Sequence, residues 1–268
     1  PDIENGYYAS LAKHIFNDLT ASGYGLSISL SMNSRLTERR AVSEMIENRV
    51  DGLLLAPLNV PNADAGYLEM LDDAGIPTVL VTSSYPGLNR PTVMCDLYGG
   101  MRMMLEELCR RGSRKMALLT GPEGAYCLDL RKAAYLDFLR ERDLEYQKIR
   151  HMDGVGYDDA VSGTGALMDA EAILCVNDMM ALGAVNELRR CGRSVPDDAA
   201  VTGFDDSAFA TVSPVPIASV RQDLRRMAAE AVERILNLAQ DAHKDDSAGG
   251  MIPCELVLRA SVGENKRL

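Results

Sequence analysis

The stretch AAVTGFDDSAF, residues 199–209, starts as an apolar strand at Ala199-Ala200-Val201-Thr202, turns at Gly203 and presents two adjacent carboxylates, Asp205 and Asp206. A short run that is apolar throughout belongs inside a parallel sheet covered by helices on both faces. Open parallel sheets bind ligands outside the carboxyl ends of their strands, and the two acids stand at such an end. The rest of the chain decides whether this reading holds.

Upstream, the same unit repeats. AEAILCVND (170–178) leads into the helical DMMALGAVNELRRCG (178–192), and KMALLTG (115–121) leads into AYCLDLRKAAYLDFLRERD (125–143). YQKIRHM (146–152) and YDDAVSGTGALMD (157–169) lie between them. Nearer the start, Tyr8, Leu11, Ala12, Ile15 and Leu19 recur at helical spacing, and YGLSISL (24–30) alternates as a strand does. The polar helix RLTERRAVSEMIENR (35–49) is followed by the strand VDGLLLAP (50–57), and ADAGYLEMLDDAG (63–75) by IPTVLVT (76–82). Strands alternating with helices predict an α/β fold, and the count exceeds one compact unit.

Three segments break the rhythm and read as crossovers: PTVMCDLYGG (91–100), IASVRQD (217–223) and the final strand PCELVLRAS (253–261). The helix between the last two carries a stripe of Leu224, Met227, Ala228, Ala231, Ile235 and Leu238, and the polar loop DAHKDDSAGG (241–250) ends it. The expected architecture is therefore two Rossmann-like lobes with parallel sheets flanked by helices, joined by three crossover strands. Residues 1–97 with 223–250 form one lobe and 98–222 with 251–268 the other. PDIENGYYAS (1–10) reads as the loop leaving a first parallel strand, so residues upstream are expected.

Composition narrows the function. With 28 basic against 39 acidic side chains, the net charge of −11 has the wrong sign for gripping phosphate backbones unaided. Arg110-Arg111 and Arg189-Arg190 each precede a glycine, where positive charge complements a helix C-terminus. The six cysteines are scattered without metal spacing and read as reduced thiols of a cytoplasmic protein. No apolar run reaches membrane-helix length. A phosphate loop, a zinc-protease motif and a nucleophile elbow are all missing, and GVGYDD and SGTGAL lack the third glycine of a dinucleotide site. His14, His151 and His243 are isolated. No catalytic residue, metal ligand or cofactor is implied.

Polar groups at strand ends remain: Asp205, Asn177, Arg131 beyond the 121–127 loop, and Gln222 and Asp96 at the inferred crossovers. Carboxylate, amide and guanidinium groups suit a polyhydroxylated ligand, because each sugar hydroxyl both donates and accepts.

The ordered fragments RVDGLLLAP, GIPTVLV, GSRKMALLTGP, AILCVNDMMALGA, VPDDAAVTGFDDSAFA, ASVRQD and ELVLRAS resemble the effector-binding domain of the lactose-repressor (LacI/GalR) family, whose fold is periplasmic binding protein-like. The resemblance covers essentially the whole chain. It implies the regulatory core of a transcription factor, without the family's helix-turn-helix and hinge helix, and a small-molecule effector, a sugar, in the inter-lobe cleft. It further implies a homodimer that reaches operator DNA only through an upstream domain. The helices at 62–73 and 97–111 are candidates for the dimer interface.

By the same resemblance the ligand contacts are Tyr7, Tyr8, Arg131, Asn177, Asp205 and Gln222, with Asp96 at the first crossover. Tyr8 begins a helical stripe, which leaves Tyr7 for the ligand. Asp178 is expected to cap the helix that follows, freeing Asn177, and Asp206 to be the cap or turn residue, leaving ligand to Asp205. Arg131 has Asp129 and Asp137 as alternative partners. The chain has no tryptophan, so stacking on a sugar ring falls to Tyr7, Tyr126 or Tyr157. A sugar-binding transport receptor of the same fold is the alternative reading, and an enzyme on this scaffold a third.

Overall fold

Apolar strands that are buried on both faces assemble into two parallel sheets in the computed structural model, which describes residues 3, 6–58, 65–85, 88–240 and 251–263. The chain divides into two compact units, Pro1–Cys95 with Asp223–Ile252, and Asp96–Gln222 with Pro253–Leu268. The loop at 241–250, with His243, lies outside the described residues.

In the first unit, β1 (Leu53–Leu55), β2 (Thr78–Val81) and β3 (Thr92–Val93) form a parallel sheet in the order β1-β2-β3. Helices α1 (Gly6–Ala21) and α9 (Leu224–Gln240) pack together, and α2 (Arg35–Glu47) and α3 (Glu69–Asp73) also belong to this unit. Val42, Leu55, Leu68, Leu71, Ile76, Leu80 and Tyr85 make one apolar cluster. Positions 62–64 of the expected 62–73 helix lie outside the described residues. The remainder is a single 3-10 turn at Gly66–Leu68 followed by α3.

YGLSISL is not a strand. Residues 24–30 are extended, yet among the described residues no ladder joins them to a neighbour, and Ile28 and Leu30 are 50% and 36% exposed. Alternation supplies the side-chain pattern of a strand but not its hydrogen-bonded partner, and among the described residues β1 pairs only with β2.

The second unit holds β4 (Met116–Thr120), β5 (Lys148–His151), β6 (Ala172–Cys175), β7 (Ala200–Asp205), β8 (Ala218–Arg221) and β9 (Glu255–Val257) in the order β5-β4-β6-β7-β8-β9. Only β9 runs antiparallel. Around this sheet lie α4 (Leu97–Arg110), α5 (Tyr126–Glu141), α6 (Tyr157–Thr164), α7 (Asp178–Arg190) and the short α8 (Ala208–Val212). The apolar stripe of α4, Leu97, Met101, Met104, Leu105 and Leu108, is buried within its own unit, so an interface on this helix would have to use its other face. The paired arginines do sit at the ends of α4 and α7, where Arg110 and Arg111 both contact Glu107, and Arg190 contacts Glu187. Among the described residues no helix is long and apolar enough to cross a membrane.

Gly183 sets the spacing of α6 and α7. A Cβ there would lie 2.6 Å from the Tyr157 carbonyl oxygen and 2.9 Å from Ala160 Cβ. Backbone cannot yield as a flexible side-chain tip can, so Gly183→Ala is expected to lower stability by about 1–3 kcal/mol despite alanine's better helix propensity. Thermal denaturation checks this; an unchanged or higher Tm would mean that the two helices separate freely.

Candidate functional site

The strand order fixes where a ligand crevice opens in the second unit. From β4 the chain moves to β5 on one side and then to β6 on the other, so the loops leaving β4 and β6 diverge at their carboxyl ends. Arg131 lies on α5, beyond the loop that leaves β4; Asn177 follows β6, Asp205 ends β7 and Gln222 follows β8.

Three of these residues meet. The Gln222 amide nitrogen donates to Asp205 Oδ1 at 2.7 Å, and Arg131 Nη2 stands 3.8 Å from the same oxygen. The Arg131 guanidinium lies 4.1 Å over the Phe204 ring, a fully buried platform that holds its plane. Its partner is Asp205, not Asp129 or Asp137, which pair with Lys132 and Arg140. Arg131 Nε is buried, and among the described residues nothing hydrogen-bonds it. The Arg131 fork and the Asp205 carboxylate stand side by side, 3.8 Å apart, and together offer the planar donors and the acceptor that sugar hydroxyls require.

The strand does not turn at Gly203. β7 runs through it to Asp205, and the glycine is needed because the Asp178 carboxylate rests against it: a Cβ there would come 2.1 Å from Asp178 Oδ1. The turn comes two residues later, where Asp205 and Asp206 both have positive φ, 101° and 53°. Non-glycine residues held there mark a backbone that its surroundings enforce. Asp206 is indeed the turn residue, and its carboxylate binds Arg221 at 2.7 Å and Arg259 at 2.6 Å. It does not cap the following helix.

Asn177 and Asp178 reverse their expected roles. Asn177, with extended backbone, is the N-cap of α7: its Oδ1 accepts from the Met180 amide at 2.8 Å, while its Nδ2 donates to the Val155 carbonyl at 2.9 Å. Asp178 instead points across the sheet, accepting from the Ser207 amide and the Ser219 hydroxyl, each at 2.6 Å. Burial raises the Asp178 carboxyl to about 7, with the Asp205 charge adding to the rise. Burial likewise raises Asp205 to about 6, although Arg131 and the Gln222 hydrogen bond pull it down.

His151 Nδ1 lies 3.1 Å from the Gly121 carbonyl oxygen and its Nε2 3.3 Å from Glu123, in the loop that precedes α5. Tyr126, the first residue of α5, is half-buried. The Tyr157 hydroxyl is held by Asn186 across α6 and α7.

Other expected contacts are placed differently. Asp96 caps α4, its Oδ1 accepting from the Gly99 amide at 2.8 Å, so its carboxylate serves its own helix. In the first unit the buried stripe of α1 is Tyr7, Leu11, Ile15 and Leu19; Tyr7 is the core residue, and Tyr8 is the more exposed of the two. Their rings meet edge-on at 5.1 Å. Tyr8 lines an apolar hollow with Leu11, Ile15 and Leu26. Among the described residues no cluster of three or more His, Cys, Asp or Glu could hold a metal.

A profile described as a periplasmic binding protein-like domain matches residues 105–262. A helix-turn-helix-type transcriptional regulator encoded upstream of aml in Streptomyces limosus is 30% identical over 98% of this chain and 77% of its own. This chain belongs to the LacI family of transcriptional regulators. The regulator CelR of Thermobifida fusca is 30% identical over 85% of this LacI-family chain and 69% of its own length. A solved structure of a CelR–cellobiose complex superposes with a TM-score of 0.85 at 26% identity, covering 95% of this chain and 79% of that one. These relatives are regulators, not enzymes. Within the LacI-family core, the sequence reading did not anticipate Phe204 as the platform for Arg131, Asp178 as a cross-sheet tether, or a buried carboxylate at Glu38 in the first unit.

Proposed function

We propose that this LacI-family core binds a sugar through Arg131, Asp205 and Gln222, and that binding controls operator DNA through an upstream domain. The convergence of Arg131 and Gln222 on Asp205 carries this reading. A CelR relative crystallised with cellobiose supports the ligand class. A carboxylate takes two hydroxyl donors while a guanidinium gives two in one plane, which matches vicinal diols.

Control then follows from linkage. Ligand favours whichever arrangement of the two units it binds better, and DNA affinity shifts by that difference and no more. A homodimer presents two DNA-binding segments to paired half-sites.

A thermal-shift panel of cellobiose, maltose, D-ribose, D-xylose, nucleosides and purines tests the ligand class. A ligand at 100 times its Kd stabilises by about 2.7 kcal/mol, which a melting curve resolves. The expected result is a rise in Tm with at least one sugar and none with the nucleosides. A rise with nucleosides alone, or with nothing, would refute the sugar reading.

A further inference from the structure

Asp205 and Asp206 hold φ of 101° and 53°, and side chains other than glycine stay there only where their surroundings keep them. Two backbone donors of this turn are fixed on the sheet: the Asp206 amide donates to the Ser219 hydroxyl at 3.0 Å, and the Ser207 amide to Asp178 Oδ2 at 2.6 Å. The Asp206 side chain adds a second set of tethers. Its Oδ2 accepts from Arg221 Nε at 2.7 Å and its Oδ1 from Arg259 Nη2 at 2.6 Å, and the carboxylate is only 7% exposed. Both oxygens are thus committed to arginine in a poorly solvated place, where charge-assisted bonds are strongest.

Both arginines tie the turn to β8. Arg221 is the last residue of β8 and lies in register with Asp205, while Arg259, from the segment ELVLRAS and 53 residues away, also donates through Nη1 to the Ile217 carbonyl just ahead of β8. Gln222, which donates to Asp205, is the residue after Arg221. We infer that Asp206 is a positioning residue for effector binding: its clamp on Arg221 and Arg259 holds the left-handed turn that sets the Asp205 carboxylate against Gln222 and Arg131. Asp206 acts through Asp205. The two adjacent acids therefore divide the work, one carboxylate meeting the ligand and the other aiming it. This role rests on the effector-binding reading above, and the two can fail separately.

Asp206→Asn isolates the clamp, because asparagine tolerates the left-handed region as aspartate does but lacks the charge that two arginines require. The NMR shift of the Gln222 side-chain amide, measured on the whole chain without ligand, reads the position of Asp205, and Asp205→Ala supplies the value for a broken contact. In Asp206→Asn this resonance is expected to move at least half-way to its Asp205→Ala value, while the backbone amides of β4 and β6 keep their wild-type shifts. Arg259→Lys keeps a charge but cannot reach Asp206 and the Ile217 carbonyl together, and should produce a smaller movement in the same direction. Calorimetry with cellobiose and D-ribose adds the functional arm, in which affinity for whichever sugar binds falls about tenfold in Asp206→Asn as the site loses its preorganisation. An unmoved Gln222 resonance, equal movement of the β4 and β6 amides, or undiminished sugar affinity in Asp206→Asn would each overturn the role. If Asp206→Asn does not fold, the Gln222 resonance in Arg259→Lys decides. If wild type binds neither sugar, the sugar reading fails and the Gln222 resonance still decides the positioning.

Discussion

Arg131→Ala is expected to weaken effector binding by about 100-fold or more, because it removes two charge-assisted hydrogen bonds of about 1.5–3 kcal/mol each to a ligand hydroxyl pair. The guanidinium is held by Phe204 beneath it and by Asp205 beside it, so it meets the ligand without first losing rotamer freedom. Arg131→Lys retains the charge but neither the planar fork nor the stack on Phe204, and is expected to recover only part of the loss. Asp205→Asn should cost a similar amount, since an amide oxygen accepts more weakly than a carboxylate and the amide nitrogen would face the Gln222 donor. The two losses should not add, because each substitution already disables the other residue's partner. Titration calorimetry of the single and double variants, with the best sugar from the thermal screen, measures this. Sugar affinity in Arg131→Ala within threefold of wild type would place the ligand elsewhere.

The place of Asp205 at the carboxyl end of an apolar strand was legible from local pattern, and that of Arg131 in the helix after the β4 loop from the pattern together with the resemblance; their ligand role is the proposal. What misled was phase and partnership. Tyr7 and Tyr8 differ by about 100° around a helix, and the stripe from Leu11 through Ile15 to Leu19 extends equally well on paper to either; packing chose Tyr7. Asn177 and Asp178 are both good caps. The choice fell to Asn177 because Asp178 is needed by Ser207 and Ser219, 29 and 41 residues further along. Gly203 resembles a turn glycine in sequence, but its missing Cβ is a space for that same aspartate. Glu38 gave no signal, since its three donors are as remote as Tyr85 and its own helix reads as polar and solvent-facing. YGLSISL shows the converse: a strand pattern is necessary for a strand, and without a neighbour's backbone it remains an extended segment.

The second large effect is a proton linkage at the same place. Asp178 and Asp205 repel each other through a poorly solvated region, and burial raises them from the ordinary carboxylate value of 3.8 to about 7 and about 6. They should titrate as a coupled pair, with Asp205, nearer to Arg131, losing its proton first. Between about pH 4 and pH 7 the native state then binds more protons than the unfolded chain, whose carboxyls have already ionised near 4. Stability must therefore fall as pH rises through that window and level off above it, a sign opposite to that of salt-bridged surface carboxylates. Ligand binding should run the other way. A sugar hydroxyl donates best to an ionised Asp205, so binding releases a proton, and affinity rises by up to about tenfold per pH unit below 6 before reaching a plateau. Denaturant titrations of wild type and Asp178→Asn from pH 4.5 to 8 separate the two carboxyls: the variant keeps only the lower, Asp205 part of the slope. Calorimetry in two buffers of different ionisation enthalpy counts the proton released on binding. A flat affinity from pH 5 to 7 would mean that Asp205 does not meet the ligand as a carboxylate. A flat stability over the same range would mean that the pair is already ionised in the native state, with Arg131 and Gln222 at Asp205, and Ser207 and Ser219 at Asp178, outweighing burial.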